Sequence, residues 1–513
     1  MKLKSFWWSP ILVLVGLVFG SRLGDGLVSD DWIFVAGAAR AHSLADVLNF
    51  FRFGYLPGWF FRPLQWLLTW AIYRLAGTNA AAYHLVSMSF DLANAALFAA
   101  LTYKLLTHSE GATPSALRTA VVASVFFLFN WRHHEAVFWY SSVSEILAAF
   151  FRLSALLLLV AAFDARDRRR RWVWYLAALA ADVLGLLSKE SAVVLPLEML
   201  VIVVYLQVAG GKADEKRFML RLAALLPFML ASACWAALYG SSVRAPASGA
   251  GGLVPVLYAG PFVLALRFVQ YLNGHFMGND NLALIRTTRQ LIAETIVLGV
   301  VGVLAAVRRQ YAWLCALFWT FVAVAPYAVV ANADQISAGV PLLSAGIGGD
   351  RYLYYSAAPA SLLLVLGGLW MAAEIRRSRG KKWAPAATRL IFIVMGVFLA
   401  LNVGVLFWFG HEWSVAGSIA DRTLQEVQAR IPAPGPSTVL CLEDLPDTYH
   451  NKFVWRNGIS DALRVSYGRE DLAVWATVRP PSGTTAPPPL NESLCTDVLI
   501  YDEGSQSLVA KHN

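Results

Sequence analysis

Two aspartates stand side by side in VSDDWIFV, residues 28–35, directly after the first long apolar run of the chain. Adjacent carboxylates raise one another's proton affinity, so one of Asp30 and Asp31 can act as a general base while the other positions it or helps bind a metal ion. The same pair can instead cap a helix, because acidic groups are favoured at a helix N-terminus. Three cations could hold an anion such as a phosphate: Arg62 in FRPLQW, Lys189 in LLSKES and Arg351 in GGDRYLYYS. Arg grips phosphate through two nitrogens and Lys acts as a point charge; the alternative is anchoring to ordinary lipid headgroups. A further cluster, NWRHHEAVF, gathers Arg132, His133, His134 and Glu135. His133 and His134 could ligate a metal ion, although neighbouring histidines project differently and seldom share one. His275, in YLNGHFMGND, could reach a substrate, with plain loop polarity as the simpler account.

These residues belong to a chain that is 58% hydrophobic and 15% charged, where a soluble protein carries about 25% charged residues. The composition is that of a polytopic membrane protein. Runs able to cross about 30 Å of hydrocarbon are expected near 7–27, 82–103, 117–130, 143–163, 172–188, 191–208, 222–240, 291–307, 311–330, 353–373 and 390–410, eleven in all.

A net charge of +9 could suggest nucleic acid, but half of the 42 Lys and Arg fall in six short segments, 1–6, 104–118, 164–171, 209–221, 308–310 and 374–389. Alternate loops are far poorer in them, which is the positive-inside pattern. DARDRRRRW is therefore a cytoplasmic loop rather than a lipid-binding or nuclear-type patch. The N-terminus is expected inside and, after an odd number of spans, the segment past 410 outside. Two parts result: a membrane domain, 1–410, and a small extracytoplasmic domain, 411–513, with Pro-rich stretches and a mixed strand and helix pattern. Cys441 and Cys495 lie in the second part, as a disulfide or as two thiols, whereas Cys234 and Cys315 lie in spans as packing. There is no zinc spacing and no Gly-rich phosphate loop. The N-terminal run has the basic start of a signal peptide, but no clear cleavage site precedes the acidic pair, so it is expected to stay as an anchor.

On this topology the polar clusters collect on the outer face. AGAARAHSLADVLNFF has the pattern of an interfacial helix, and RPLQWLLTWAIYRLAG that of a second one with Pro63 in its first turn. Trp7, Trp8, Trp131, Trp172, Trp174 and Trp413 are most simply an interfacial belt. His84 and Asp91, seven apart, share a helix face suited to an interhelical contact. Asp91, Glu145, Arg152, Asp182 and Glu198 lie in or near spans and keep a transporter in view, although no convincing internal repeat accompanies them. The sequon at Asn491 is taken as incidental.

SDDW, FRPLQWLLTWAIYRLAGTNAAAYHLVSMSFDLANAALFAAL, HHEAVFWYSSVSEILAAFF, LGLLSKESAVVLP and GGDRYLYYSAAPASLLL follow one another over roughly residues 28–365. This ordered set resembles the GT-C superfamily of polytopic glycosyltransferases, most closely the protein O-mannosyltransferase-like branch with its transmembrane and tetratricopeptide-containing mannosyltransferases and bacterial relatives. Together with the spans and loops read above, the resemblance gives an all-α polytopic, GT-C-like fold of about eleven transmembrane helices with interfacial helices in the first outer loop, and the sequence past it adds a small mixed α/β C-terminal domain. The resemblance also implies transfer of a sugar from a polyprenyl-phosphate donor to a protein, lipid or glycan acceptor at the outer face, with inversion. A departing phosphate needs no general acid, so one carboxylate can suffice, unlike the pair used by glycosidases.

The first-loop carboxylate is the usual catalytic residue of such enzymes. Here the pair is Asp-Asp where several relatives carry Asp-Glu, and no tetratricopeptide array is present. Asp30 is taken as base and Asp31 as its positioning or metal-binding partner, with their assignment open. Glu135 matches the family's second-loop acidic position and would orient an acceptor or metal. Lys189, Arg351 and Arg62 would hold the donor phosphate; His133, His134 and His275 are candidate acceptor or metal contacts. No cofactor is firmly implied and a divalent metal is left open. The competing functions are a lipid-linked sugar or polysaccharide transporter and a noncatalytic membrane scaffold.

Overall fold

The computed structural model describes residues 9–52, 60–210, 215–242, 260–276, 288–328, 349–378, 380–479 and 492–510. Trp7, Trp8, most of the RFGYLPGWFF turn, the ASGAGG stretch, most of the RPPSGTTAPPP stretch and Asn491 lie outside these residues.

A chain in hydrocarbon must satisfy its backbone polar groups internally, which makes long apolar runs helical. Among the described residues, nine helical segments are long and apolar enough to cross a membrane: Ala80–His108, Tyr140–Asp164, Arg168–Ser188, Glu190–Ala209, Glu215–Tyr239, Arg289–Val307, Tyr311–Ala328, Ala357–Ser378 and Pro385–Arg430. Two shorter apolar helices, Ile11–Arg22 and Pro114–Leu128, coincide with the remaining expected spans. The chain is an integral membrane protein, mostly helical. Its outward faces suit a lipid solvent: Ile296, Val300, Val303 and Val307 recur at helical spacing along one helix and are all exposed. Local chemistry sets several helix starts. Thr113 accepts from the Ala116 N–H at 3.2 Å ahead of Pro114, and Asp167 accepts from the Arg170 N–H at 2.7 Å.

The segment between the first two apolar helices folds, in its described residues, as three helices, Asp31–Arg40, Leu44–Asn49 and Pro63–Ala76. The single amphipathic helix expected over 36–51 is thus broken. Ser43 and Asp46 form a capping box, the Ser43 N–H donating to Asp46 Oδ2 at 2.8 Å and the Asp46 N–H to Ser43 Oγ at 3.2 Å, so a new helix starts there. The third helix lies across the first. A Cβ on Gly37 would sit 2.3 Å from the Trp66 ring, so only glycine allows the approach, and Phe34 packs on that ring in a tilted contact, centroids 4.6 Å apart. Gln65 then ties this layer to the loop 130–142 by donating to the Ser141 carbonyl at 2.8 Å.

One helix, Gly380–Arg430, runs for 51 residues, about 76 Å at 1.5 Å per residue. Residue 410 falls inside it, so the membrane part and the C-terminal part share a continuous rod. Beyond it come β1 (Val439–Leu445), β2 (Thr448–Tyr449), β3 (Lys452–Phe453), a helix Ile459–Tyr467, β4 (Ala473–Val478), β5 (Asp497–Asp502) and β6 (Ser507–Ala510). The sheet order is β4-β1-β5-β6, with β1 parallel to β4 and β5 and β6 antiparallel to β5. Cys441 of β1 and Cys495 just before β5 form a disulfide, which settles a choice the sequence leaves open.

Candidate active site

Asp31 is fully buried in the first turn of the helix Asp31–Arg40. Its Oδ1 accepts from both the backbone N–H and the hydroxyl of Ser141, each at 2.6 Å, and its Oδ2 accepts from the Val28 N–H at 3.0 Å. It therefore fastens the segment that begins at residue 28 to the loop 130–142. Burial pushes its carboxyl up to about 7, against the pull of these donors. Because the folded-state value lies above the unfolded one, its ionisation subtracts stability as pH rises from about 4 through 7. Asp31→Ala is expected to destabilise the protein on the order of 3 kcal/mol, since three buried donors lose their acceptor. A melting temperature equal to wild type in detergent would contradict this.

Asp30 has a different setting. It stands at the N-cap position of the same helix, yet its side chain makes no capping hydrogen bond. The half-buried carboxylate instead accepts from Asn457 Nδ2 of the C-terminal domain at 2.8 Å. Burial raises its pKa, while the Asn457 amide and then Arg351 and Arg456 act to lower it. Two adjacent carboxylates are thus divided: Asp31 is consumed inside the fold and Asp30 faces cations.

The loop 130–142 meets the turn 349–353 through charge. Glu135 pairs with the Arg351 guanidinium and also accepts from the Arg351 N–H at 3.0 Å. Arg351 lies over the Trp139 and Tyr352 rings, 5.1 and 4.6 Å from their centroids, and donates to the Tyr352 hydroxyl at 3.0 Å. Next to it, Asp350 pairs with Arg132 and accepts from His134 Nε2 at 2.7 Å. Trp413 Nε1 donates to His134 Nδ1 at 3.1 Å. With Nδ1 an acceptor, the His134 proton sits on Nε2 and points at Asp350, and burial lowers the ring's pKa. The nearby Arg132 and His134 hold the Asp350 carboxyl well below the usual range.

The other two candidate cations are also paired. Lys189 Nζ lies 2.6 Å from Glu145 Oε1 in a buried ion pair, and the Tyr327 hydroxyl donates to Glu145 Oε2 at 2.8 Å. Arg62 makes a two-pronged contact with Glu190, at 3.0 and 2.6 Å. The pairs interact with one another: Glu145 acts electrostatically on Arg62 and Arg351, and Lys189 on Glu190. Arg351 in turn acts on Asp30. Arg62, Lys189, Arg351, Glu135 and Asp30 thereby belong to one electrostatic cluster, although they lie on four separate parts of the chain. Among the described residues, each cation keeps donor hydrogens beyond its carboxylate bond: Nη1 of Arg62, Nε of Arg351 and the remaining hydrogens of Lys189.

The remaining sequence candidates go elsewhere. His133 is fully buried between Phe127 and Tyr354, 3.7 Å from Asp91 Oδ1, and burial pushes it down to about 3. His275 is buried against Ser356 Oγ at 3.0 Å, and burial pushes it down to about 3. His84 reaches the Asp25 carbonyl at 3.1 Å, and Asp91 accepts from the Tyr354 hydroxyl at 2.6 Å, so both serve contacts between segments. Among the described residues, no group of three or more His, Cys, Asp and Glu is arranged to hold a metal ion.

Trp413 leaves the expected interfacial belt: it is buried, bonds His134 and stacks near Trp139 at 6.2 Å. Sequence reasoning also passes over Asp350, Ser141 and Asn457. Asp350 had a signal, an acidic neighbour of Arg351 facing a loop with its own arginine. Asn457 had none, lying 427 residues from the aspartate it touches.

No family model and no curated protein matches the chain. Solved structures similar to it include the oligosaccharyltransferase of Archaeoglobus fulgidus in the apo form, 12% identical with a TM-score of 0.46 over 93% of this chain and 65% of that one. The archaeal oligosaccharyltransferase AglB from the same organism, in complex with an inhibitory peptide and a dolichol-phosphate, is 12% identical with a TM-score of 0.48 over 92% and 65%. ArnT from Cupriavidus metallidurans bound to undecaprenyl phosphate is 14% identical with a TM-score of 0.40 over 92% and 86%. The chain spans about 65% of the length of the archaeal proteins. At these values the likeness assigns no activity to it.

Proposed function

We propose that the protein is an inverting membrane glycosyltransferase of the GT-C type that takes a sugar from a polyprenyl-phosphate donor at the outer face. The observation that carries this reading is the half-buried Asp30 carboxylate in the field of Arg351, a cation that shares the influence of Glu145 with Arg62 and with Lys189, the ion-pair partner of Glu145. The ordered motifs from SDDW to GGDRYLYYS support the same class and favour its O-mannosyltransferase-like branch, so mannose is the first donor sugar to test.

In the proposed reaction Asp30 removes a proton from the acceptor's nucleophile. That atom attacks the anomeric carbon as the bond from that carbon to the phosphate oxygen breaks, and the electron pair leaves with polyprenyl phosphate. The proton stays on Asp30 until solvent removes it. Arg351, Lys189 and Arg62 meet the charge growing on the phosphate through their remaining donors. The paired carboxylates keep these cations in place before the donor arrives, so little reorganisation is needed. The outer location is supported by the Cys441–Cys495 disulfide, which favours an oxidising compartment. The contact of Asn457, from the disulfide-bearing part, with Asp30 supports a shared face for site and disulfide.

Purified protein given undecaprenyl phosphomannose and an acceptor extract is expected to release undecaprenyl phosphate. No release with that donor or with the phosphoglucose and phosphoarabinose analogues would overturn the proposal. One observation favours a second reading, a transporter: Asp182 is buried in the helix Arg168–Ser188 with neither carboxylate oxygen hydrogen-bonded, as a coupling carboxylate would be. Movement of the donor across a vesicle membrane without sugar transfer would support that reading instead.

A further inference from the structure

The candidate site is walled on one side by a turn of the C-terminal domain, Val454–Gly458, whose contacts converge on the backbone just before Asp30. The Ser29 N–H donates to the Val454 carbonyl at 2.9 Å, and the Asn457 N–H donates to Ser29 Oγ at 3.3 Å. Ser29 has φ of 47°, a left-handed conformation that costs a side-chain-bearing residue about 1 kcal/mol and persists only where neighbours hold it. Gly458, with φ of 86°, packs so closely that a Cβ there would lie 2.2 Å from the Ser29 carbonyl oxygen. The turn therefore grips the residue that sets the direction of Asp30. The Asn457 side chain completes the grip, its Nδ2 donating to Asp30 Oδ1 at 2.8 Å. This is the one side-chain hydrogen bond of the Asp30 carboxylate among the described residues, and it leaves Oδ2 open.

We propose that the C-terminal domain is an integral part of the active site and that Asn457 is a positioning residue, aiming the Asp30 carboxylate so that Oδ2 meets the acceptor's proton. This rests on Asp30 being the base. The charged groups that face Asp30 are Arg351 from the last outer loop, Arg456 from the same C-terminal turn and Asp31 from its own helix. Arg456 is held by two bonds to Asp447, at 3.0 and 2.6 Å, and stays in place when Asn457 is changed. The amide acts to lower the Asp30 pKa, so its removal raises the pKa and leaves less of the ionised base at a given pH. The same docking surface contains a contact remote from the carboxylate, Arg40 with Asp461 at 2.6 Å, whose loss loosens the domain without touching Asp30.

The test measures release of undecaprenyl phosphate from undecaprenyl phosphomannose or its phosphoglucose analogue against pH, for full-length wild type, Asn457→Ala, Asn457→Ser and Arg40→Ala. Asn457→Ala is expected to lower kcat roughly tenfold, with the donor KM changed less than about twofold. The acid limb of its profile moves to higher pH, while Arg40→Ala leaves that limb in place. If Asn457→Ala does not fold, Asn457→Ser, which keeps a polar residue in the turn, carries the same expectation. An acid limb unmoved in the folded Asn457 variant, or moved equally by Arg40→Ala, overturns the positioning role and leaves only docking. Full turnover by Asp30→Asn is a separate outcome that overturns the base assignment, and the inference with it.

Discussion

Asp30→Asn is expected to lower turnover by about 10²–10⁴-fold, the range that positioned proton transfer contributes, with the melting temperature nearly unchanged. The second half of that expectation follows from the site. Asp30 is half-buried, makes no capping hydrogen bond and, among the described residues, accepts one side-chain hydrogen bond, from Asn457 Nδ2 to its Oδ1. An Asn that keeps its carbonyl oxygen in that place preserves the bond and loses only the ability to take a proton. The pH dependence has a definite sign. A base works ionised, and burial raises the Asp30 pKa above that of an ordinary aspartate. Wild-type activity therefore falls as the medium is acidified, beginning above the usual carboxylate range. Asp31→Asn should behave differently: its Oδ2 accepts from an N–H that an amide nitrogen cannot satisfy, so the loss appears first in stability. Equal turnover in wild type and Asp30→Asn, with Asp31→Asn inactive yet stable, would reverse the two assignments.

Removing Arg351 is the second change with a large expected effect, because it acts on folding and on chemistry at once. Arg351→Ala leaves the Glu135 carboxylate without its cation in a site that exposes 9% of that side chain. Breaking such a pair from one side costs about 3–5 kcal/mol. Glu135→Gln in the same protein removes the stranded charge and should recover most of that stability. Turnover should not recover with it, since the phosphate still lacks its arginine, and the double variant is expected to remain at least about a hundredfold below wild type. Recovery of both stability and turnover would make Arg351 a structural residue and leave the phosphate to Lys189 and Arg62.

How much of this is legible in the sequence depends on the range of each interaction. Hydropathy is local, and all eleven expected spans coincide with apolar helices, two of them short. The Ser43 to Asp46 capping box is local as well; the amphipathic pattern across 36–51 masks the break it causes. The residue types at the site are legible: the acidic pair, the loop RHHE and the cations at the outer ends of spans. Their division of labour is not, because it depends on distant partners. Asp31 is claimed by Ser141, 110 positions away, and Glu135 by Arg351, 216 positions away. His133 and His134 illustrate the same limit. Adjacency says they diverge, but only the fold shows one enclosed by Phe127 and Tyr354 and the other aimed at Asp350. Trp413 looks from sequence like a residue at the membrane boundary, whereas the helix Gly380–Arg430 carries it into contact with the loop 130–142.

The most direct test is a structure of the protein with undecaprenyl phosphate bound in a lipid nanodisc. The phosphate is expected among Arg351, Lys189 and Arg62, with at least one of their nitrogens about 2.8 Å from a phosphate oxygen and Asp30 facing the same space. A phosphate bound elsewhere, with these three cations still engaged only by Glu135, Glu145 and Glu190, would contradict the account.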